Sequence, residues 1–211
     1  MPIQLRNALV CAALLSLTGC PPPAVYQTAD TLKPGRWQVG GGIGTGSMRD
    51  DHQRVRILTG DLEFFARRGI GDNLDAGLRL YSAGLEASVK WRFKRGRWSM
   101  ALMPGLAVLG TNKNPATTKA FHSFLTVPML ASRRLSSRWS ISLGPKLSTG
   151  MYWPTTDYPS LGLSAGGYAM VALHLGNWRV MPEIDLARTI AGDVPIDGWA
   201  AHIGVGLAWQ R

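Results

Sequence analysis

The chain has 211 residues, enough for one domain and not comfortably for two. Its mean hydropathy of +0.01 excludes a polytopic helical membrane protein, and its apolar content of 45% excludes a disordered chain. Only 17% of residues are charged and the net charge is +10, while 25 glycines and 8 tryptophans are a high load, so we expect an ordered domain with few charges.

Residues 1–19 predict a secretory signal peptide. Arg6 precedes an apolar run over residues 8–17 that is too short to span a bilayer. The run closes on Leu-Thr-Gly-Cys at 17–20, which resembles the lipobox of bacterial lipoproteins. The resemblance implies cleavage before Cys20, a diacylglycerol on its sulfur and acylation of its new amine. The alternative is a plain signal peptide with an incidental cysteine.

Residues 20–34 are predicted to be an acylated cysteine followed by a Pro-rich tether, because three prolines follow Cys20 and the segment ends at Pro34. Cys11 leaves with the signal peptide, so the mature chain keeps one cysteine and forms no internal disulfide. The stability of the domain must therefore come from packing or from a membrane.

Residues 35–211 predict one all-β domain. Apolar and polar residues alternate with a period of two along successive stretches separated by turn-like clusters. We expect an up-and-down antiparallel β-barrel of about ten strands, with eight as the alternative. The predicted strands are 35–46, 55–66, 74–82, 85–93, 98–110, 120–132, 139–150, 161–175, 178–189 and 198–210.

The tryptophans indicate which face points outward. Most lie on the apolar face at the end of the barrel with tight turns, and Trp199 lies at the opposite end, as two aromatic belts of a membrane protein would. This arrangement favours a transmembrane barrel over the alternative, a soluble lipocalin-like lipid carrier. The predicted interface residues are Trp37, Trp91, Trp98, Trp139, Trp178, Trp199 and Trp209.

The other face carries glycine and nearly balanced charge, which predicts a lumen plugged by ion pairs rather than an open pore. Pairing about the turn near Ser82 sets Asp75 opposite Arg92 and leaves Arg79 diagonal to Glu86. The predicted lumen residues are Asp61, Glu63, Asp75, Arg79, Glu86, Lys90, Arg92, Lys146, Glu183, Asp185 and His202.

Four prolines fall inside predicted strands, where a closed barrel has no edge to tolerate a missing N–H. Three of them follow a strand-opening tryptophan by four or six residues, so we expect a repeated hairpin unit with bulges. The four prolines are Pro104, Pro128, Pro145 and Pro182, and the three that follow a strand-opening tryptophan are Pro104, Pro145 and Pro182.

Together the lipobox, the amphipathic strands, the aromatic belts and the end at 204–209 resemble a small bacterial outer-membrane β-barrel. The chain departs from that family in ending on Gln210 and Arg211 instead of an aromatic residue. The resemblance implies an outer-membrane protein anchored at Cys20, with outer-membrane lipids and the barrel-insertion and lipoprotein-sorting machinery as partners.

Basic residues concentrate in the tight turns, which we expect on the periplasmic side with both chain ends. They would attract lipid phosphates or, alternatively, dock an acidic envelope protein. No pattern favours nucleic acid. The turn residues are Arg67, Arg68, Lys94, Arg95, Arg97, Arg133, Arg134 and Arg138.

Catalysis is not expected. Lipid A deacylases of the PagL type resemble small barrels with a His-x-Ser pair, but His122 and Ser123 are adjacent and face opposite sides of a strand. Hairpin pairing places His202 opposite Asp185 without a nucleophile beside them. The histidines lack metal-ligand spacing, and no cofactor is indicated. We expect a structural or scaffold protein of the envelope, the alternatives being a narrow diffusion channel and a lumen-edge lipid A hydrolase.

Overall fold

The computed structural model describes residues 24–50, 56–81, 84–112, 119–153, 160–192 and 198–211. The predicted signal peptide and Cys20 lie outside these residues. No helix in the described ranges is long and apolar enough to cross a membrane. The strands are β1 (Trp37–Asp50), β2 (Arg56–Gly71), β3 (Leu74–Tyr81), β4 (Gly84–Lys94), β5 (Ser99–Leu102), β6 (Gly105–Asn112), β7 (Lys119–Arg134), β8 (Trp139–Trp153), β9 (Ser160–Leu175), β10 (Trp178–Gly192) and β11 (Gly198–Gln210).

Apart from β5 and β6, which do not pair with each other, each strand pairs antiparallel with the strands next to it in the chain, and β1 also pairs with β11, which closes the sheet. Segments β5 and β6 both pair with β4 on one side and β7 on the other. They are therefore two halves of one strand in the wall. The fold is a closed up-and-down antiparallel barrel of ten strands, as the alternating sequence predicts.

The fifth strand is divided at Met103 and Pro104. The Pro104 carbonyl still accepts from Val89 N at 3.0 Å, and Met103 N donates to Pro128 O at 3.1 Å. Proline brings no N–H to the ladder, so the strand breaks at that point while its neighbours keep part of their hydrogen bonding. The predicted continuous strand over 98–110 is thus two shorter segments.

The expectation of bulges at the prolines is wrong. Pairing between β7 and β8 stops at Pro128 and Lys146 and resumes at Ala131 and Leu143 without a change in register. The β9–β10 ladder is interrupted in the same way beside Pro182. A proline removes a hydrogen bond without adding a residue, so the register is kept. The register shifts that the described strands show lie elsewhere, at 69–71, 92–94 and 189–191.

The predicted pairing across the β3–β4 hairpin is also wrong. Asp75 lies opposite Lys90, not Arg92, and Arg79 lies directly opposite Glu86. Tyr81 pairs with Gly84, so the connection has two residues. The prediction assumed a longer turn, and the length of a hairpin connection fixes the register of both strands.

The outward face of the barrel is apolar. Leu62, Leu78 and Val205 are 50%, 56% and 45% exposed, whereas Glu63 and Arg79, their neighbours along β2 and β3, are 0% and 5% exposed. Such a surface requires hydrocarbon around it, because water would have to solvate a continuous apolar band. This confirms the transmembrane barrel and overturns the alternative of a soluble carrier, whose apolar face would point inward.

The tryptophans lie at the two ends of this band. Trp178 pairs with Trp209 at the tight-turn end, and Trp199 lies ten residues before Trp209 on β11. Ten residues span about 34 Å along a strand, which at the usual tilt is close to the roughly 25 Å height of a lipid-facing band. Five of the tryptophans are between 45% and 52% exposed: Trp37, Trp91, Trp139, Trp178 and Trp199. Trp98 and Trp209 are half-buried.

A charged side chain on the outward face should destabilise the barrel more at the middle of the membrane than near the membrane surface. Val205 lies near the middle of the apolar band, and Leu175 lies beside Trp178 at its tight-turn edge. We expect Val205→Arg to lower the free energy of unfolding by about 2–4 kcal/mol and Leu175→Arg by about 1 kcal/mol or less. Denaturant titration of the barrel in lipid vesicles measures both, and equal losses would contradict a lipid-facing surface.

Candidate functional site: the filled lumen

The chain enters the lumen before its first strand. At the tight-turn end Gly35 N donates to Gly69 O at 2.9 Å, and Trp37 N donates to Arg211 O at 3.0 Å. Residues 24–32, here called the plug segment, lie inside the barrel, and all but two of them are buried. Within the predicted tether over residues 20–34, residues 24–32 thus form part of the barrel interior. The position of this segment could not be predicted from the sequence, because it has no periodic pattern and is too short to show one.

Two opposing charged side chains hold the inner end of the plug segment. The Glu183 carboxylate accepts from Val25 N at 2.5 Å and from Tyr26 N at 2.7 Å. Across the lumen, the Arg79 guanidinium donates to Ala24 O at 2.7 Å and to Val25 O at 2.8 Å. Hydrogen bonds with one charged partner are stronger than neutral ones, so this end of the segment is clamped between β10 and β3.

Lys90 holds the middle of the plug segment. Its ammonium donates to Gln27 Oε1 at 3.3 Å, Thr28 O at 3.1 Å and Asp30 O at 2.8 Å. These three acceptors match the three N–H donors of an ammonium group. Because Lys90 is only 1% exposed, losing these acceptors would leave a buried cation with few partners.

Two further bonds tie the segment to other strands. Ala29 N donates to Ser132 Oγ on β7 at 2.8 Å. Leu32 N donates to Asp75 Oδ2 on β3 at 3.2 Å. The plug segment is thus bonded to strands around the barrel wall, which fixes its position in the lumen.

Beneath the plug segment, the charges of β2–β4 form one cluster. Arg67 pairs with Asp75 at 2.6 Å and donates to Ser88 Oγ at 2.9 Å, and Lys90 lies 3.4 Å from Asp75. Arg67 is 3% exposed, so its predicted place among the exposed turn residues is wrong. Strand β2 continues to Gly71, and the alternation along it turns Arg67 inward.

The remaining lumen charges pair across several strands. Arg79 lies 3.7 Å from Glu63, and the Lys146 ammonium contacts the Asp185 carboxylate. The Glu86 carboxylate accepts from the Tyr81 hydroxyl. All these side chains project inward, as the alternation predicts.

His202 and Arg92 have other partners than the sequence suggests. His202 lies opposite Asp185 in the β10–β11 register, but its Nε2 is 3.1 Å from Asp61 Oδ1 on β2. Arg92 lies at the tight-turn mouth, where it donates to Asp72 O at 3.0 Å and lies 3.5 Å from Asp30.

The Tyr26 ring fills the space left by glycines of β1 and β11. A Cβ atom at Gly206 would lie 2.8 Å from Tyr26 Cγ, and Cβ atoms at Gly42 and Gly204 would collide with the ring and its hydroxyl. Tyr26 has a φ of 42°, a left-handed conformation that is uncommon outside glycine. These three glycines leave the space that the Tyr26 side chain occupies.

The histidines considered for catalysis and metal binding have the following surroundings among the described residues. No three histidine, cysteine or acidic side chains of the described ranges gather to hold a metal ion. The His122 ring stacks on Phe124 at a centroid distance of 5.9 Å. His202 is 5% exposed and bonded to a carboxylate under the plug segment. The described part of the lumen holds the plug segment in place.

Comparison with known proteins supports the fold. No protein-family model matches the chain, and no curated protein matches it. An outer membrane channel from Pseudomonas putida F1 matches with a TM-score of 0.50 and 8% identity, over 91% of this chain and 100% of that one. Neisserial surface protein A matches at 0.47 and 10%, over 83% and 98%. The attachment invasion locus protein of Yersinia pestis matches at 0.43 and 10%, over 84% and 99%. At such identities the likeness shows the fold alone, and that is the fold of outer-membrane β-barrels.

The fit of Tyr26 against glycine can be tested by a double-mutant cycle. Gly206→Val puts a side chain into the ring, and we expect overpacking to destabilise the barrel by about 1–3 kcal/mol. In a Tyr26→Ala background the same substitution should cost less than half as much, as measured by denaturant titration.

The matched control is Gly166→Val, where a Cβ atom meets Leu186 O and Ala187 Cα instead of the plug segment. Its cost should be the same with or without Tyr26. Equal behaviour of the two glycines in both backgrounds would contradict the packing described here.

Proposed function

We propose that this protein is a non-catalytic, lipid-anchored barrel of the bacterial outer membrane that serves as a structural or scaffold unit of the envelope. The observation that carries the proposal is the filled lumen. The plug segment lies in the lumen and forms hydrogen bonds with Arg79, Lys90 and Glu183, so residues of the protein itself occupy this space. Because the interior is occupied, the proposed function depends on the two rims of the barrel and on its lipid anchor.

The lumen charges support a closed barrel over the narrow channel considered above. A water-filled pore solvates its lining, whereas Glu63, Asp75 and Glu183 are at most 2% exposed and meet protein donors or cations. Opening the lumen requires these groups to exchange their partners for water. The wall and the plug segment thus depend on one another.

The proposed anchor is Cys20, at the end of the lipobox-like motif. Two or three acyl chains hold a protein to a membrane stably, since each buried CH₂ contributes about 0.8 kcal/mol. Lipoprotein-sorting and barrel-insertion machinery are the partners that this route to the membrane requires.

The absence of catalysis is also part of the proposal. A lumen-edge hydrolase would need a nucleophile within reach of His202, which instead bonds to Asp61 beneath Tyr26. A His202→Gln variant should therefore leave the acylation pattern of lipopolysaccharide unchanged in cells that carry the protein, and mass spectrometry of lipid A measures it. Loss of an acyl chain that depends on His202 would contradict the proposal.

The tight-turn end supports contact with lipid headgroups. The Arg68 guanidinium lies 5.4 Å from the ring of Trp37, at the level of the aromatic belt. Arg95 is exposed and donates to Asn73 Oδ1 at 3.0 Å and Asp72 O at 2.9 Å, which orients it at the mouth. Each such cation contributes about 1 kcal/mol at an anionic surface. An acidic envelope protein remains the second ligand that this surface suits.

Conductance tests the closed lumen. In planar bilayers the wild-type barrel should show no stable open state, whereas deletion of residues 24–32 should give one, because the remaining lumen charges then face water. Heat-modifiable migration on a gel checks that the deletion variant has folded.

If the deletion variant does not fold, a Glu183→Gln and Arg79→Gln pair keeps the plug segment and weakens its clamp. This pair should give brief openings at raised voltage. A stable open state of the wild type would overturn the proposal.

Metabolic labelling tests the anchor. An alkyne-tagged palmitate should label the wild-type protein and not Cys20→Ala, and heat-modifiable migration of the variant checks that its barrel has folded. Equal labelling of both proteins would place the lipid elsewhere, and labelling of neither would contradict a lipid anchor.

A further inference from the structure

At the tight-turn end, Trp37 lies between two arginines on the outward face of the barrel. It opens β1 and pairs with Arg68 in the β1–β2 ladder. On its other side, the main chains of Trp37 and Arg211 exchange hydrogen bonds at 3.0 and 2.9 Å. Residues directly opposite each other in a ladder project to the same face. The three side chains therefore form one row at the level of the tryptophan belt.

An open crevice lies beside this row. It has a volume of about 510 Å³ and is lined by Gly35, Arg36, Trp37, Trp209 and Arg211. The crevice thus combines two belt tryptophans with two arginines. Arg68 brings a third guanidinium group next to it, 5.4 Å from the Trp37 ring.

These arginines differ from the lumen cations in having no acidic partner. Arg67 and Lys146, for example, each contact a carboxylate inside the barrel. Among the described residues, no carboxylate forms an ion pair with Arg36, Arg68 or Arg211. Three positive charges grouped at a membrane surface without a counter-charge favour an anion from outside the chain.

Below the crevice, toward the middle of the membrane, the outward surface is apolar and shallow. Val39 follows Trp37 on β1, and Leu207 follows Trp209 on β11; both are exposed. Gly41 is the next outward position of β1, and it lies between its ladder partners Leu207 and Phe64. A position without a side chain between two large ones leaves a depression, of which the Phe64 ring forms one side. This depression suits an acyl chain.

We propose that the crevice binds one phospholipid with an anionic headgroup from the leaflet at the tight-turn end. The guanidinium groups of Arg36, Arg68 and Arg211 bind the phosphate, because arginine matches the geometry of phosphate oxygens. The two indole rings lie at headgroup level, and one acyl chain lies over Val39 and Gly41. An acidic protein segment would match the charges and leave the depression unused.

This inference rests on the headgroup contact that is part of the proposed function, and it gives that contact a defined place. The site lies where β1 meets β11, the pairing that closes the barrel. A zwitterionic lipid should bind more weakly, because its ammonium group adds a cation beside three others.

Native mass spectrometry of the purified protein, stripped of lipid in detergent, measures the binding. Phosphatidylglycerol should bind as one molecule, about tenfold more tightly than phosphatidylethanolamine. Arg36→Gln with Arg211→Gln should weaken the binding of phosphatidylglycerol about thirtyfold, which corresponds to two cations at about 1 kcal/mol each. Both substitutions keep the main-chain bonds between Trp37 and Arg211.

The matched control is Arg97→Gln with Arg138→Gln. Each of these arginines also directly precedes a belt tryptophan, and the pair removes the same charge. Both lie next to strands that are four strands from β1, β5 and β8, which is about 19 Å along the wall and beyond the screening length of about 10 Å at 0.1 M salt. The control pair should therefore change the binding less than about threefold.

Tryptophan fluorescence locates the lipid. A phosphatidylglycerol brominated in the upper part of its acyl chains should quench part of the emission of the wild-type protein. Trp37→Phe with Trp209→Phe should abolish this quenching, whereas Trp98→Phe with Trp139→Phe should keep it. The opposite pattern would place the lipid elsewhere and overturn the inference.

The outcomes separate the inference from the proposed function. Equal weakening by the two arginine pairs overturns the defined site and leaves a general attraction to headgroups standing. Equal binding of both phospholipids by all the proteins overturns the inference and the headgroup contact together. Displacement of the lipid by an excess of inorganic phosphate or of an acidic peptide overturns the inference, because the acyl chain would then add nothing.

Heat-modifiable migration checks that each variant is folded. If the Arg36→Gln and Arg211→Gln pair does not fold, Arg36→Gln alone is the test, because Arg36 precedes β1 and lies outside its ladders. This variant should weaken the binding about fivefold, which corresponds to one cation at about 1 kcal/mol. Unchanged binding would overturn the inference.

Discussion

The structure depends on one requirement, which is that every charged side chain buried in the lumen has a partner. A wall of alternating side chains that faces hydrocarbon outward must turn its polar residues into a narrow interior, where an ion without a partner costs several kcal/mol. Asp75 forms ion pairs with Arg67 and Lys90, and all three side chains belong to strands of the barrel wall. Lys90 and Arg79 have further N–H donors to satisfy, and the backbone carbonyls of the plug segment accept from them.

The plug segment also contributes to closing the barrel. Pairing of β1 with β11 joins the two ends of the domain, which is the pairing with the largest loss of chain entropy. Tyr26 packs on glycines from both strands, and Glu183 and Arg79 bind the same stretch from opposite sides of that seam. The segment therefore adds contacts where β1 meets β11, the two paired strands that are furthest apart in the sequence.

Alternation predicted the wall and the direction of its side chains, because period two is a property of the strand itself. Leu62 and Glu63 could thus be assigned to opposite faces from sequence. The Asp75–Lys90 pair could not, since register depends on the length of one turn. The plug segment was missed for another reason. Its bonds mostly use backbone atoms of residues 24–32, and backbone atoms leave no trace in side-chain pattern. The glycines at 42, 204 and 206 were visible, but nothing in the sequence links them to Tyr26.

The direction of the plug segment follows from the same bonding. Reversing it in the lumen would move the carbonyls of Ala24 and Val25 away from Arg79 and their N–H groups away from Glu183, because a peptide presents donors and acceptors in a fixed order along its length. Arg79 and Glu183 would then lose these backbone partners. The lumen charges therefore select the direction of the plug segment as well as its presence.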